Sequence, residues 1–196
     1  MSNSKDIFKA RKADWWNNAC FNFNPTGNRW TGYSMGYKHG ADILADYVDK
    51  TAKYQDTLVY PILFLYRHYL ELIIKEILTD CAYVLDEKAN FKHHNLSNYW
   101  VDLKNKCLQI VGQSIPSSLT DPIESVVGQI SHVDAISDAF RYPCKKDGAP
   151  TLQGIQYINI KQVNEELAKA SDALEAISAT IYHAVEMTSE SRSAMM

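Results

Sequence analysis

Long apolar runs are missing from this chain: residues 58–66 form one such run, but it stops at Arg67, well short of the ~20 residues that span a bilayer. The first twelve residues, MSNSKDIFKARK, lack the apolar core of a secretory signal. Cys20, Cys81, Cys107 and Cys144 form no CxxC pair and no zinc-type spacing, so reduced thiols in a cytoplasm are expected. An excess of one charge is also absent. With 20 Lys and Arg against 23 Asp and Glu, the net charge is −3, which excludes coating of nucleic acid by bulk charge and leaves only a local basic pocket. There is no serine-hydrolase elbow, phosphate-cradling glycine loop, dinucleotide fingerprint or kinase signature. Gly27, Gly32, Gly36 and Gly40 have the wrong spacing for any of these. No cofactor, metal or membrane is implied.

What remains is enough for one core. The 196 residues are 46% hydrophobic, which favours one domain over two. Residues 1–39 interleave Trp15, Trp16, Phe21, Phe23, Trp30, Tyr33 and Tyr37 with asparagines and glycines. Neither helical nor strand periodicity survives there, so an irregular arm is expected. Its aromatics serve either as anchors on a helical body or, beside Lys5, Lys9, Arg11 and Lys12, as stacking surfaces for bases.

From residue 40 to 189 the pattern is helical. Helices are expected over 41–54, from Asp56 or Thr57 to about residue 84, over 95–111, and from Asp121 with Pro122 in its first turn until before Pro143. Lys145-Lys146-Asp147-Gly148 is turn chemistry, and the alternation at Ile155, Tyr157, Ile158 and Ile160 suits a short strand, paired as a hairpin with residues 140–144. A last helix over 161–189 carries Val163, Leu167, Ala170, Leu174, Ile177 and Ile181 as a heptad seam. This seam serves packing within an antiparallel bundle or pairing with a second copy. Residues 190–196 read as a frayed tail. The expected fold is all-α, a bundle of about five helices with a small loop or hairpin before the last.

The most informative stretch is residues 58–78. At roughly 100° per residue, Arg67, His68, Glu71 and Lys75 fall on one narrow line of a helix that is otherwise apolar, which marks the helix as central. The ionisable side chains either form a structural i,i+4 ladder or face a site. Two further constellations follow. His93 and His94 precede a helix start that leads to Tyr99 and Trp100; adjacent histidines point apart and are poor joint metal ligands, while one of them could move a proton given a partner. Asp134, Ser137, Asp138 and Arg141 share a helical face, with Arg141 at the helix end as a dipole-compensating partner of Asp138 or as a fork for phosphate or carboxylate, followed by Tyr142.

The sequences Leu65-Tyr66-Arg67-His68-Tyr69-Leu70-Glu71-Leu72-Ile73-Ile74-Lys75, His94-Asn95-Leu96-Ser97-Asn98-Tyr99-Trp100 and Phe140-Arg141-Tyr142-Pro143 together resemble bacterial helical proteins of the HEPN (higher eukaryotes and prokaryotes nucleotide-binding) superfamily, over about residues 40–187. The resemblance implies a compact helical bundle, commonly dimeric, from a toxin–antitoxin or phage-defence system. Nuclease members carry an Arg followed after four to six residues by a His. This chain has no such pair, since Arg67 is followed at once by His68 and Arg141 by no His until His183. The expectation is therefore a module that recognises a nucleotide or RNA through Arg67, His94 and Arg141. His68, Glu71, Lys75, Trp100, Asp134, Ser137 and Tyr142 complete that site. The alternatives are a metal-independent ribonuclease using Arg67, His94 and Arg141, and a non-enzymatic partner protein. A homodimer and a protein partner from the same defence system are expected companions.

Overall fold

The computed structural model describes residues 8–20, 29–92 and 94–195. Among them are five α-helices and no strand: α1 (Thr31–Thr51), α2 (Gln55–Val84), α3 (Leu96–Val111), α4 (Ser117–Val133) and α5 (Ile160–Ala194), after a single 3-10 turn at Trp15–Asn17. The chain is an all-α bundle. The expectations on Lys5, Phe21, Phe23, Gly27 and His93 lie outside the described residues.

α2 is the hub, packed against α1, α3 and α5, while α4 lies on α5 and α3. Its 30 residues bury apolar side chains around much of the circumference, among them Ile62, Leu70, Ile74 and Ile77, as an all-round hydrophobic helix must. Counted over its whole length, α2 is long and apolar enough to cross a membrane, although the run before Arg67 alone is not. Here it forms the core of the bundle.

Local chemistry sets three of the boundaries. Asn95 caps α3 by accepting the Asn98 N–H at 2.9 Å, and Asn159 caps α5 by accepting that of Gln162 at 3.0 Å. α3 ends at Gly112, whose φ of +75° is the left-handed conformation that glycine adopts without strain.

Four boundaries differ from expectation. α1 begins at Thr31, inside the segment expected to be irregular, because the Thr31 and Ser34 hydroxyls both bond the Glu76 carboxylate on α2, Ser34 at 2.8 Å. This tertiary clamp outweighs the low helix propensity of Gly32, Gly36 and Gly40. α4 begins at Ser117, so Pro122 sits in its second turn, where it removes the bond an N–H would make to Ser118. Burial of Ile123, Val126 and Val127 holds the helix together regardless. α4 then stops at Val133 rather than running on toward Pro143. At the other end, α5 continues to Ala194 where a frayed tail was expected: the Arg192 guanidinium lies 4.6 Å from the Tyr83 ring centroid and donates to the Tyr83 carbonyl at 3.2 Å, tying the end of α5 to that of α2.

The expected hairpin is also replaced. Cys144 bridges Pro150 across the Lys145–Gly148 turn, while Phe140 turns into the core. Residues 155–158 pair with no strand among the described residues. Of the aromatic segment, Trp30 and Tyr37 dock on the body, at 5.4 Å from Phe91 and 4.4 Å from His68. Trp15 and Trp16 stay exposed, edge to face with one another.

Candidate functional site

The charged line of α2 is a buried network. Arg67, Glu71 and Lys75 are all buried, and Arg67 is fully so. Arg67 donates through Nη1 to Glu71 Oε2 at 2.5 Å and through Nη2 to the His94 carbonyl at 2.6 Å. Its Nε lies 3.3 Å from Asp134 Oδ2. Lys75 Nζ donates to Glu71 Oε1 at 2.6 Å and sits in a box of rings, 5.1 Å from Tyr99, 5.6 Å from Phe91 and 6.0 Å from Trp30. Those faces supply the cation with the attraction that burial takes away. Burial on its own would raise the Glu71 pKa, but hydrogen bonds from Lys75, Arg67 and His94 outweigh it and hold the carboxyl at about 2. Arg67 thus has its guanidinium engaged inside the protein, and what reaches the surface is the pair of loops it holds.

One loop carries His94. Its imidazole is mostly exposed, with Nδ1 2.9 Å from Glu71 Oε1. A carboxylate on Nδ1 fixes the tautomer that carries the proton there, which leaves Nε2 as the basic nitrogen. The other loop is built on Asp134, whose Oδ1 accepts the N–H groups of Asp138 and Ala139 at 2.7 and 2.9 Å. This side-chain bonding competes with the helix and ends α4. Ser137, at φ +66°, is the left-handed residue of the turn and is buried. The shared helical face expected for Asp134, Ser137, Asp138 and Arg141 therefore does not form.

Arg141 lies in that loop with its guanidinium carbon 6.0 Å from the Phe64 ring centroid and 5.4 Å from that of Tyr142. Its side chain has no ion pair or hydrogen bond among the described residues. Next to it, His68 is stacked on Phe64 at 5.7 Å and abuts Tyr37. Burial lowers the His68 pKa; Glu71 opposes the effect, and Arg67, Lys75 and Arg141 reinforce it. Neutral imidazole is the resting form.

The structure thus brings Arg67, Glu71, Lys75, His94 and Asp134 into one network, and puts His68, Arg141 and Tyr142 in an aromatic patch beside it. Trp100 belongs to neither: it is buried between α3 and α4, with Nε1 3.4 Å from Glu124 and Lys104 over its ring. Sequence reasoning missed Phe64 and Tyr37 as neighbours of His68, although Phe64 and His68 are spaced i,i+4. It also missed the ring box around Lys75, because Trp30 precedes α1 while Phe91 and Tyr99 flank the start of α3, and neither segment leaves a pattern near position 75. Among the described residues no group of three or more His, Cys, Asp and Glu side chains could hold a metal ion. No protein-family model matches the chain, and neither a curated protein nor a solved structure matches it.

Proposed function

We propose that the chain is a HEPN-like cytoplasmic module of a bacterial toxin–antitoxin or phage-defence system that recognises a phosphate-bearing ligand, a nucleotide or RNA. One observation carries this reading: Arg141 presents a guanidinium with no ionic partner among the described residues, set between the Phe64 and Tyr142 rings. A planar fork suits phosphate, and rings beside it suit stacked bases. Arg67 serves as the clamp, holding the His94 loop and the Asp134 loop against α2. A homodimer and a partner from the same system belong to this reading. Fluorescence anisotropy with a labelled single-stranded RNA tests it: Arg141→Ala should weaken binding by about tenfold, the loss of one good charged contact. Equal binding by wild type and variant overturns it.

The contact between Glu71 and His94 favours a second reading, a metal-independent ribonuclease in which His94 Nε2 moves the proton. Cleavage of RNA in the presence of chelator, lost in His94→Ala, is its signature. Intact RNA after incubation with the wild-type protein removes it.

A further inference from the structure

Behind Arg141 a cleft of about 620 Å³ opens between the first turns of α2 and the loop that precedes α5. That volume is in the range of small-molecule sites. Tyr60, Tyr142 and Tyr157 line it with exposed rings, and Asp56 and Gln156 add polar groups. The Asp56 carboxylate, like the Arg141 guanidinium, has no ion pair or hydrogen bond among the described residues. The cleft thus holds an unpaired cation, an unpaired anion and three aromatic faces.

These groups constrain the occupant. Asp56 stands in the first turn of a 30-residue helix. An ionised carboxylate only accepts hydrogen bonds. It repels phosphate, so a ligand whose phosphate meets Arg141 must offer Asp56 something else, namely N–H donors. Among the nucleobases guanine offers two side by side, N1–H and the 2-amino group, matching the two oxygens of a carboxylate. Adenine and cytosine set a ring lone pair next to their amino group, which a carboxylate opposes, and uracil flanks its single N–H with two carbonyls.

We infer that this cleft is a guanine-reading subsite, with Asp56 accepting from the Watson–Crick edge, the tyrosines stacking on the ring and Arg141 taking the 5′-phosphate. The inference rests on the phosphate-recognition reading above and names its ligand class. Protein-observed NMR titrations with guanosine, adenosine and inosine 5′-monophosphates and with ribose 5-phosphate test it. The guanine nucleotide should bind at least about tenfold more tightly than the adenine nucleotide, the size expected when a site built for donors meets an acceptor. Inosine 5′-monophosphate, which lacks the 2-amino group, should bind several-fold more weakly than guanosine 5′-monophosphate to wild-type protein, a comparison that needs no variant. Asp56→Asn should level the guanine and adenine affinities and leave ribose 5-phosphate unchanged, and Arg141→Glu should weaken all four. Equal guanine and adenine binding, with Arg141→Glu still weakening both, overturns the guanine assignment and leaves the phosphate reading standing. No perturbation by any of the four ligands overturns both.

Discussion

Arg67 on α2 and Asp134 at the end of α4 meet inside the protein, Nε to Oδ2 at 3.3 Å, with both side chains almost fully buried. Each ion has further partners: Arg67 bonds Glu71 and the His94 carbonyl, and Asp134 bonds two backbone N–H groups. The contact joins the central helix to two loops through one guanidinium.

Removing that guanidinium leaves two buried carboxylates without their shared cation. Arg67→Met should therefore cost about 3–5 kcal/mol, the usual penalty for breaking a buried pair from one side. Arg67→Lys should recover only part of it, because a point charge cannot reach Glu71, the His94 carbonyl and Asp134 together. Urea unfolding of the three proteins measures both differences, and a loss below about 1 kcal/mol for Arg67→Met would show the network to be marginal.

The Glu71 carboxyl makes stability depend on acid. Its folded-state pKa of about 2 lies below the ordinary value of 4.5, so the unfolded chain binds the proton more readily. The stabilisation is fully present above about pH 4.5, falls as the pH drops toward 2, and amounts to about 3 kcal/mol from the size of the shift. Urea midpoints between pH 6 and pH 2.5 should decline less steeply in Glu71→Gln than in wild type. Parallel slopes would remove Glu71 from the account.

Much of this architecture is legible in the sequence where the signal is local. The i,i+4 spacing of Arg67, Glu71 and Lys75 marks the ladder, and the apolar period over residues 95–111 marks α3. Features fixed at a distance are not legible. α1 starts at Thr31 because Glu76 waits on α2, and no propensity rule sees across that separation. The end of α4 depends on Asp134 turning its side chain back to the Asp138 and Ala139 amides, which the apolar period at Val133 and Ile136 masks. The engagement of Arg67 has the same character, since a His94 carbonyl and an Asp134 carboxylate arriving from two loops leave no pattern around position 67.

The last helix gives a test of what its seam is for. Leu167, Ala170, Leu174, Ile177 and Ile181 are buried within the single chain, Ile181 at 1% exposure. Ile181→Glu therefore places a charge in the core of the protomer and should destabilise the fold by several kcal/mol. Tyr182, half exposed on the same helix, should tolerate Tyr182→Glu within about 0.5 kcal/mol. Thermal melts together with sedimentation separate the outcomes. An Ile181→Glu protein that keeps its melting point and only loses mass would instead make this residue part of a contact between copies.

A final prediction concerns the joint between α1 and α2, where two non-glycine residues adopt left-handed backbone, Ala52 at φ +52° and Tyr54 at φ +62°. This conformation costs an L-residue roughly 1–2 kcal/mol, and Gly avoids the cost while loosening the unfolded chain by about 0.4–1 kcal/mol. Ala52 is exposed, and its N–H bond to the Val48 carbonyl at 2.8 Å survives substitution. Ala52→Gly should then stabilise the protein by up to about 1 kcal/mol, raising the melting temperature by roughly 2–4 °C for a chain of this size. Tyr54→Gly relieves the same backbone but removes the ring stacked on Tyr47 at 6.4 Å, a contact of about 0.5–1.5 kcal/mol, so it should be close to neutral. Differential scanning calorimetry distinguishes the two, and a lower melting temperature for Ala52→Gly would mean that the turn carries no backbone strain.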